Sequence, residues 1–166
     1  TGMGLDDFEN LDSDEVFVGR FTYDLFEESK VGTIFTHGDP QSNLNNQLAG
    51  VDLNLRSSNW WNEQSVSWHG FYMTSDDENE NSDDVIGTHF TFPNYPFRAS
   101  GHWVRTGDNF NPALGFVRRR GGESTGLGFT YYFEQPENEL LEDISVGAEY
   151  DRYESVSYTH LRAHET

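Results

Sequence analysis

Three histidines, His69, His89 and His102, carry the spacing most suggestive of chemistry. Each falls on the Ser-, Thr- and Gly-rich side of a segment in which apolar and polar residues alternate. His69 and His89 lie equally far from Asn79, the centre of the connection between their segments, so they are expected to be cross-strand neighbours. Imidazoles gathered in this way can ligate a transition metal or relay a proton near neutral pH. Ordinary polar filling of an interior face is the competing reading. The spacing alone leaves both open, and no other feature calls for a cofactor.

Carboxylates are the other candidates. Asp76, Asp77, Glu78, Glu80, Asp83 and Asp84 crowd one connection. On a cell surface they would either share divalent cations with lipopolysaccharide or form a self-repelling loop. A second acidic run, Asp6, Asp7, Glu9, Asp12, Asp14 and Glu15, lacks the D-x-D-x-D-G order of a calcium loop. No pair of carboxylates is marked as a glycosidase acid and base. G-x-S-x-G, phosphate-loop and dinucleotide motifs are absent. With no cysteine, thiol nucleophiles, disulfides and zinc thiolates are excluded. The expectation is a non-enzymatic chain.

Composition narrows the partners. Ten Lys and Arg stand against 29 Asp and Glu, a net charge of −19, so no basic stripe exists to neutralise nucleic-acid phosphates. That charge and a hydrophobic content of 34% lean towards disorder, but 15% aromatic residues lean the other way. No run approaches the roughly 18 apolar residues of a membrane-spanning helix.

The elements that must position these residues follow from period-two alternation. Ala49, Val51, Leu53 and Leu55 alternate with Gly50, Asp52, Asn54 and Arg56. Phe17, Gly19, Phe21, Tyr23 and Leu25 do the same, as do Leu127, Phe129, Tyr131 and Phe133, and Ile144, Val146, Ala148 and Tyr150. Nine strands are expected, at 16–26, 30–37, 46–57, 64–74, 85–92, 97–106, 113–120, 124–134 and 142–153, with Glu137 to Glu142 as the sole helix candidate. Tight connections alternate with longer polar ones, the rhythm of outer-membrane barrels with short periplasmic turns and longer outside loops. Several strands reach the roughly 9–11 residues of a membrane-spanning strand.

These features predict an all-β, antiparallel up-and-down meander of about nine strands, an incomplete transmembrane β-barrel of the bacterial outer membrane. Its expected partners are membrane lipid, lipopolysaccharide and the missing strands of its own barrel. A soluble β-sandwich or jelly-roll carbohydrate-binding module is the alternative. The two differ at Phe17, Phe21, Leu53, Phe129 and Tyr131, which a sandwich would bury between two sheets.

Residues 156–166, Val156-Ser-Tyr-Thr-His-Leu-Arg-Ala-His-Glu-Thr166, resemble a translated sequencing adapter, so His160 and His164 are set aside as an artefact tail. The expected organisation is an acidic segment over 1–15, a partial barrel over 16–155 and that tail. The segment Phe110-Asn-Pro-Ala-Leu-Gly-Phe-Val-Arg-Arg119 resembles a motif of domain-of-unknown-function family 5916 in bacteria. Phe110, Pro112, Leu114, Gly115, Phe116, Val117 and Arg118 carry the likeness, with Val18-Gly-Arg20, Val31-Gly32 and Gly50-Val-Asp52 as weaker pieces. The resemblance implies an outer-membrane barrel region that follows a family-9-type carbohydrate-binding domain. It thus implies a surface protein for carbohydrate binding or uptake, with no catalytic residues to transfer. Independently, Pro112 fixes φ and should end a loop before a strand. The cluster Arg118, Arg119 and Arg120 would meet lipid phosphates, lumen carboxylates or solvent.

Overall fold

The computed structural model describes residues 16–39, 45–77, 82–115, 120–133 and 144–155. Eight strands form one sheet: β1 (Phe17–Asp24), β2 (Lys30–His37), β3 (Asn46–Ser57), β4 (Val66–Asp77), β5 (Ser82–Pro93), β6 (Phe97–Thr106), β7 (Gly122–Phe133) and β8 (Ile144–Ser155). Spatial order follows chain order, and each neighbouring pair is antiparallel. The described residues contain no helix. Among the described residues β1 pairs with β2 and β8 with β7 alone, so the sheet is open.

Alternation translates directly into two faces because successive side chains point to opposite sides. The registers Tyr23↔Val31↔Leu53↔Gly70↔Thr88↔Trp103↔Thr125 place one parity class on a single face. That face also carries Phe17, Phe21, Val51, Tyr72, Ile86, Phe90, Phe97, Leu127, Phe129 and Val146. The other face carries Arg20, Gly32, Asp52, His69, His89, His102, Gly126 and Asp151.

The sheet curls towards the polar side. Side chains from β2 (Ile34) through β8 (Asp151, Tyr153) line one cavity on that face. In a flat sheet those strands would lie about 29 Å apart, at roughly 4.8 Å per strand spacing. The aromatic face is therefore convex and the polar face concave.

Turns at one end are stitched by side chains. Ser65 N donates to Asn94 Oδ1 (2.7 Å) while Asn94 Nδ2 donates to Ser65 O (2.6 Å), so the amide stands in for a peptide partner. Buried Ser29 accepts from Arg56 N through its hydroxyl at 3.1 Å. The 58–65 turn places Asn62 and Glu63 at positive φ, and Trp60 N reaches Gln64 O at 2.9 Å.

Two expectations are corrected. Of the strand expected at 113–120, the described residues 113–115 and 120 are not in a strand. Ala113 to Gly115 lie in a turn closed by Gly115 N on Pro112 O (2.8 Å), and Arg120 is a bend. Pro112 starts this turn instead of a strand, because Phe110 just before it is drawn onto the concave face and reverses the chain. Residues 116–119, with Phe116, Val117, Arg118 and Arg119, lie outside the described residues, as do 1–15, the helix candidate at 137–142 and 156–166. With one strand fewer, connection 134–143 falls at the end holding 25–29, 58–65 and 94–96. Connections 38–45, 78–81 and 107–121 share the other end, so the rhythm of short and long loops holds only in part.

The second correction concerns the acidic connection. β4 runs to Asp77 and β5 begins at Ser82, with Asp76↔Ser82, Ser75↔Asp83 and Thr74↔Asp84 in register. Most of the expected acidic loop is thus ladder. Its charges are tolerated because they meet donors: Asp83 Oδ2 accepts from Asn109 N (3.0 Å), and Asp84 pairs with Arg105 at 3.6 Å.

Candidate functional site

The concave face holds the groups with chemical potential. Register brings the three histidines into one row, His69↔His89↔His102. The ring centroids of His89 and His102 are 6.4 Å apart and tilted by 45°, while His69 stacks on Phe71 at 5.6 Å. Among the described residues no group of three or more His, Asp and Glu closes to metal-holding geometry. The row is a polar stripe in which His69 lies against Phe71 and His102 reaches Ser124.

Gly126 continues this row on β7, opposite both His102 and Asp151. A side chain there would collide with the His102 ring and the Asp151 carboxylate. Absence of a Cβ therefore lets the two reach towards each other across a strand. His102 Nε2 lies 3.3 Å from Ser124 Oγ. Neither Ser124 nor Asp151 stood out in the sequence, since both are ordinary residues of a polar face. The same device recurs at Gly32, where the Asp52 carboxylate fills the space a side chain would need and accepts from Arg20 at 3.0 Å.

At the end opposite the stitched turns, apolar residues interrupt the polar face. Ile34, Leu48, Phe71, Met73, Val85 and Val104 form a cluster capped by Phe110, only 2% exposed. Leu48, Val85 and Phe110 are the buried hydrophobic residues among those described. Burying Phe110 is worth about 1.5–3 kcal/mol. Its loop is tethered at several points. Buried Ser75 accepts from Asn111 N at 2.8 Å, and Asn46 Nδ2 donates to Asn111 O at 2.9 Å. Gly121 N closes the loop on Gly107 O at 3.2 Å, with Gly121 in the left-handed region at φ 66°. Arg120 donates to Asn111 Oδ1 at 2.6 Å, so of the expected arginine cluster the described member serves the loop.

Beneath this loop lies a cavity of about 740 Å³. Its walls are the apolar cluster together with Pro112 and Leu114; Thr36, Thr106, Ser124, Asp151 and Tyr153 supply polar groups. Of the family-like motif, Phe110, Pro112, Leu114 and Gly115 line it. The sequence did hold a signal for this site. Apolar residues occupy the polar parity of five successive strands, β2 through β6, all near one end.

The convex face is the reverse. Phe17 (57%), Phe21 (66%) and Phe129 (46%) are exposed, and Leu53 and Tyr131 are half-buried. None is sandwiched, and the described residues contain no second sheet.

Fold and faces together define the class: an all-β antiparallel meander, curled into an open sheet with an apolar exterior and a polar interior. No protein-family model, curated protein or solved structure matches the chain.

Proposed function

We propose that the chain is a segment of a bacterial outer-membrane β-barrel, completed by further strands at the edges of β1 and β8. The observation that carries this reading is the convex band of Phe, Tyr, Trp, Val, Leu and Ile crossing all eight strands. Soluble proteins rarely expose so continuous an apolar surface. Lipid removes that cost, and an apolar exterior around a polar interior is the pattern of membrane barrels. Strands β3 to β8, ten or twelve residues long, reach the length required to span at a tilt. In lipid the unpaired edges cannot stay open, because each unsatisfied backbone group costs several kcal/mol. Hence the need for strands beyond β1 and β8.

The proposed partners are membrane lipid and lipopolysaccharide around the convex face. A role in carbohydrate binding or uptake rests on the resemblance to family 5916 alone, and the proposed role of this segment is non-catalytic. The sandwich reading has no observation in its favour, since it needs a second sheet against the aromatic face.

Tryptophan depth tests the proposal. In vesicles of acyl-chain-brominated lipid, a variant keeping only Trp103, on the convex face, should show strongly quenched fluorescence. Variants keeping only Trp60 or Trp61, in the 58–65 turn, should be quenched less. Unquenched Trp103 in a folded, vesicle-associated chain would sink the membrane reading.

A further inference from the structure

The cavity beneath the Phe110 loop plays no part in forming the sheet, and its chemistry departs from the rest of the concave face. We infer that it is a binding site for a small amphipathic cation: an apolar body in the cavity and an ammonium-type head at Asp151.

Size comes first. About 740 Å³ falls within the roughly 300–1,000 Å³ of pockets that take small organic ligands. The walls then select the body. Ile34, Leu48, Met73, Val85 and Val104 offer no hydrogen bond, so water there has few partners and a bound sugar would strand its hydroxyls. An aromatic or aliphatic group strands no hydrogen-bonding group on entry.

Charge selects the head. Asp151 lines the same cavity and makes no ion pair or hydrogen bond among the described residues. Arg152 borders the cavity, but its register opposite Thr125 puts its side chain on the convex face, where its guanidinium is engaged by Glu154. The uncompensated charge at the cavity is therefore negative. Ser124 and His102, joined at 3.3 Å, stand beside it as further hydrogen-bonding groups.

Acyl transfer is a poorer reading of these residues. Ser124, His102 and Asp151 have the residue types of a nucleophile, a base and its orienter. His102 makes no hydrogen bond to Asp151, however, and Ser124 sits within a strand paired on both sides, where backbone N–H groups serve the ladder rather than an oxyanion. Recognition needs neither feature.

The inference depends on the concave face and not on the membrane reading, so the two fail separately. The purified chain, held in amphipol, is titrated with three naphthalene probes of similar size: 1-naphthylmethylammonium, the neutral 1-naphthylmethanol and the anionic 1-naphthylacetate. The cation should bind about fivefold more tightly than the neutral probe, the scale of one exposed ion pair, and the anion more weakly still. Asp151→Asn should erase the preference while retaining neutral binding. Val104→Trp should crowd the apolar wall and weaken binding of all three. Val51→Trp, which adds the same ring to the convex face, should change nothing. Equal affinity for the three probes, or binding left unweakened by Val104→Trp, overturns the assignment.

Discussion

Across the convex face each strand contributes residues such as Phe21, Val51, Tyr72 and Phe129, which find little protein to pack against. Across the concave face the same strands contribute Arg20, Asp52, His89 and Asp151, and only at one end do apolar residues gather, under Phe110. One face is apolar and unburied, the other polar with a small buried core. In a water-soluble domain the assignment would be inverted, with the aromatic residues inside. The contrast locates the missing stabilisation. Little of it comes from side chains packed against one another, so most must come from the ladder and from whatever covers the convex face.

The largest expected effect breaks the concave core. Phe110→Ala removes the cap of the apolar cluster and should cost about 3–5 kcal/mol, as large-to-small changes at buried aromatics do. Urea unfolding in amphipol reads it as a lowered midpoint. A loss below about 1 kcal/mol would mean that the loop rests on the sheet without stabilising it.

Next comes a pair of substitutions that sets the faces against each other on one strand. Val51→Arg, on the convex face of β3, should cost about 2–4 kcal/mol of folding free energy in vesicles, the range for a cation facing mid-bilayer lipid. Asn54→Arg, three residues on and on the concave face, should lie within about 0.5 kcal/mol of the parent, as surface changes do. Equal costs would erase the distinction between lipid-facing and interior sides.

The faces themselves were legible in the sequence, because a period of two is fixed by backbone geometry and survives any arrangement of loops. The opposition of His69 and His89 was legible for the same reason: equal distance from a hairpin centre sets register. The ninth strand was not. Residues 113–115 follow Pro112 directly, so an extended start to that strand competes with a turn, and burying Phe110 on the concave cluster decides the competition for the turn. The cavity was hidden further still. Its walls come from β2 through β8, and only the curl of the sheet brings Ile34 to the same space as Asp151. Curl is a property of the assembled ladder, not of any one segment.

The smallest effect probes the rim, where the two faces meet at the stitched turns. Glu28 accepts a hydrogen bond from the Ser58 hydroxyl at 2.5 Å and another from Ser58 N at 3.0 Å, with Arg56 Nε at 3.6 Å. The Ser58 hydroxyl, then its amide, hold the carboxyl below its ordinary value of 4.5; desolvation opposes them, and the Arg56 charge adds the least. A carboxylate depressed in the folded state stabilises it fully above the unfolded pKa. That contribution fades as pH falls from there through the folded-state pKa. Acidification from about pH 5 to pH 3 should therefore loosen the contact between turns 25–29 and 58–65 in the parent, and Glu28→Gln should remove that part of the pH dependence. Carboxyl carbon NMR titration checks it directly. A Glu28 resonance titrating at or above 4.5 would show that the Ser58 contacts do not hold in solution. The two turns would then be joined at this rim by Ser29 and the Arg56 backbone.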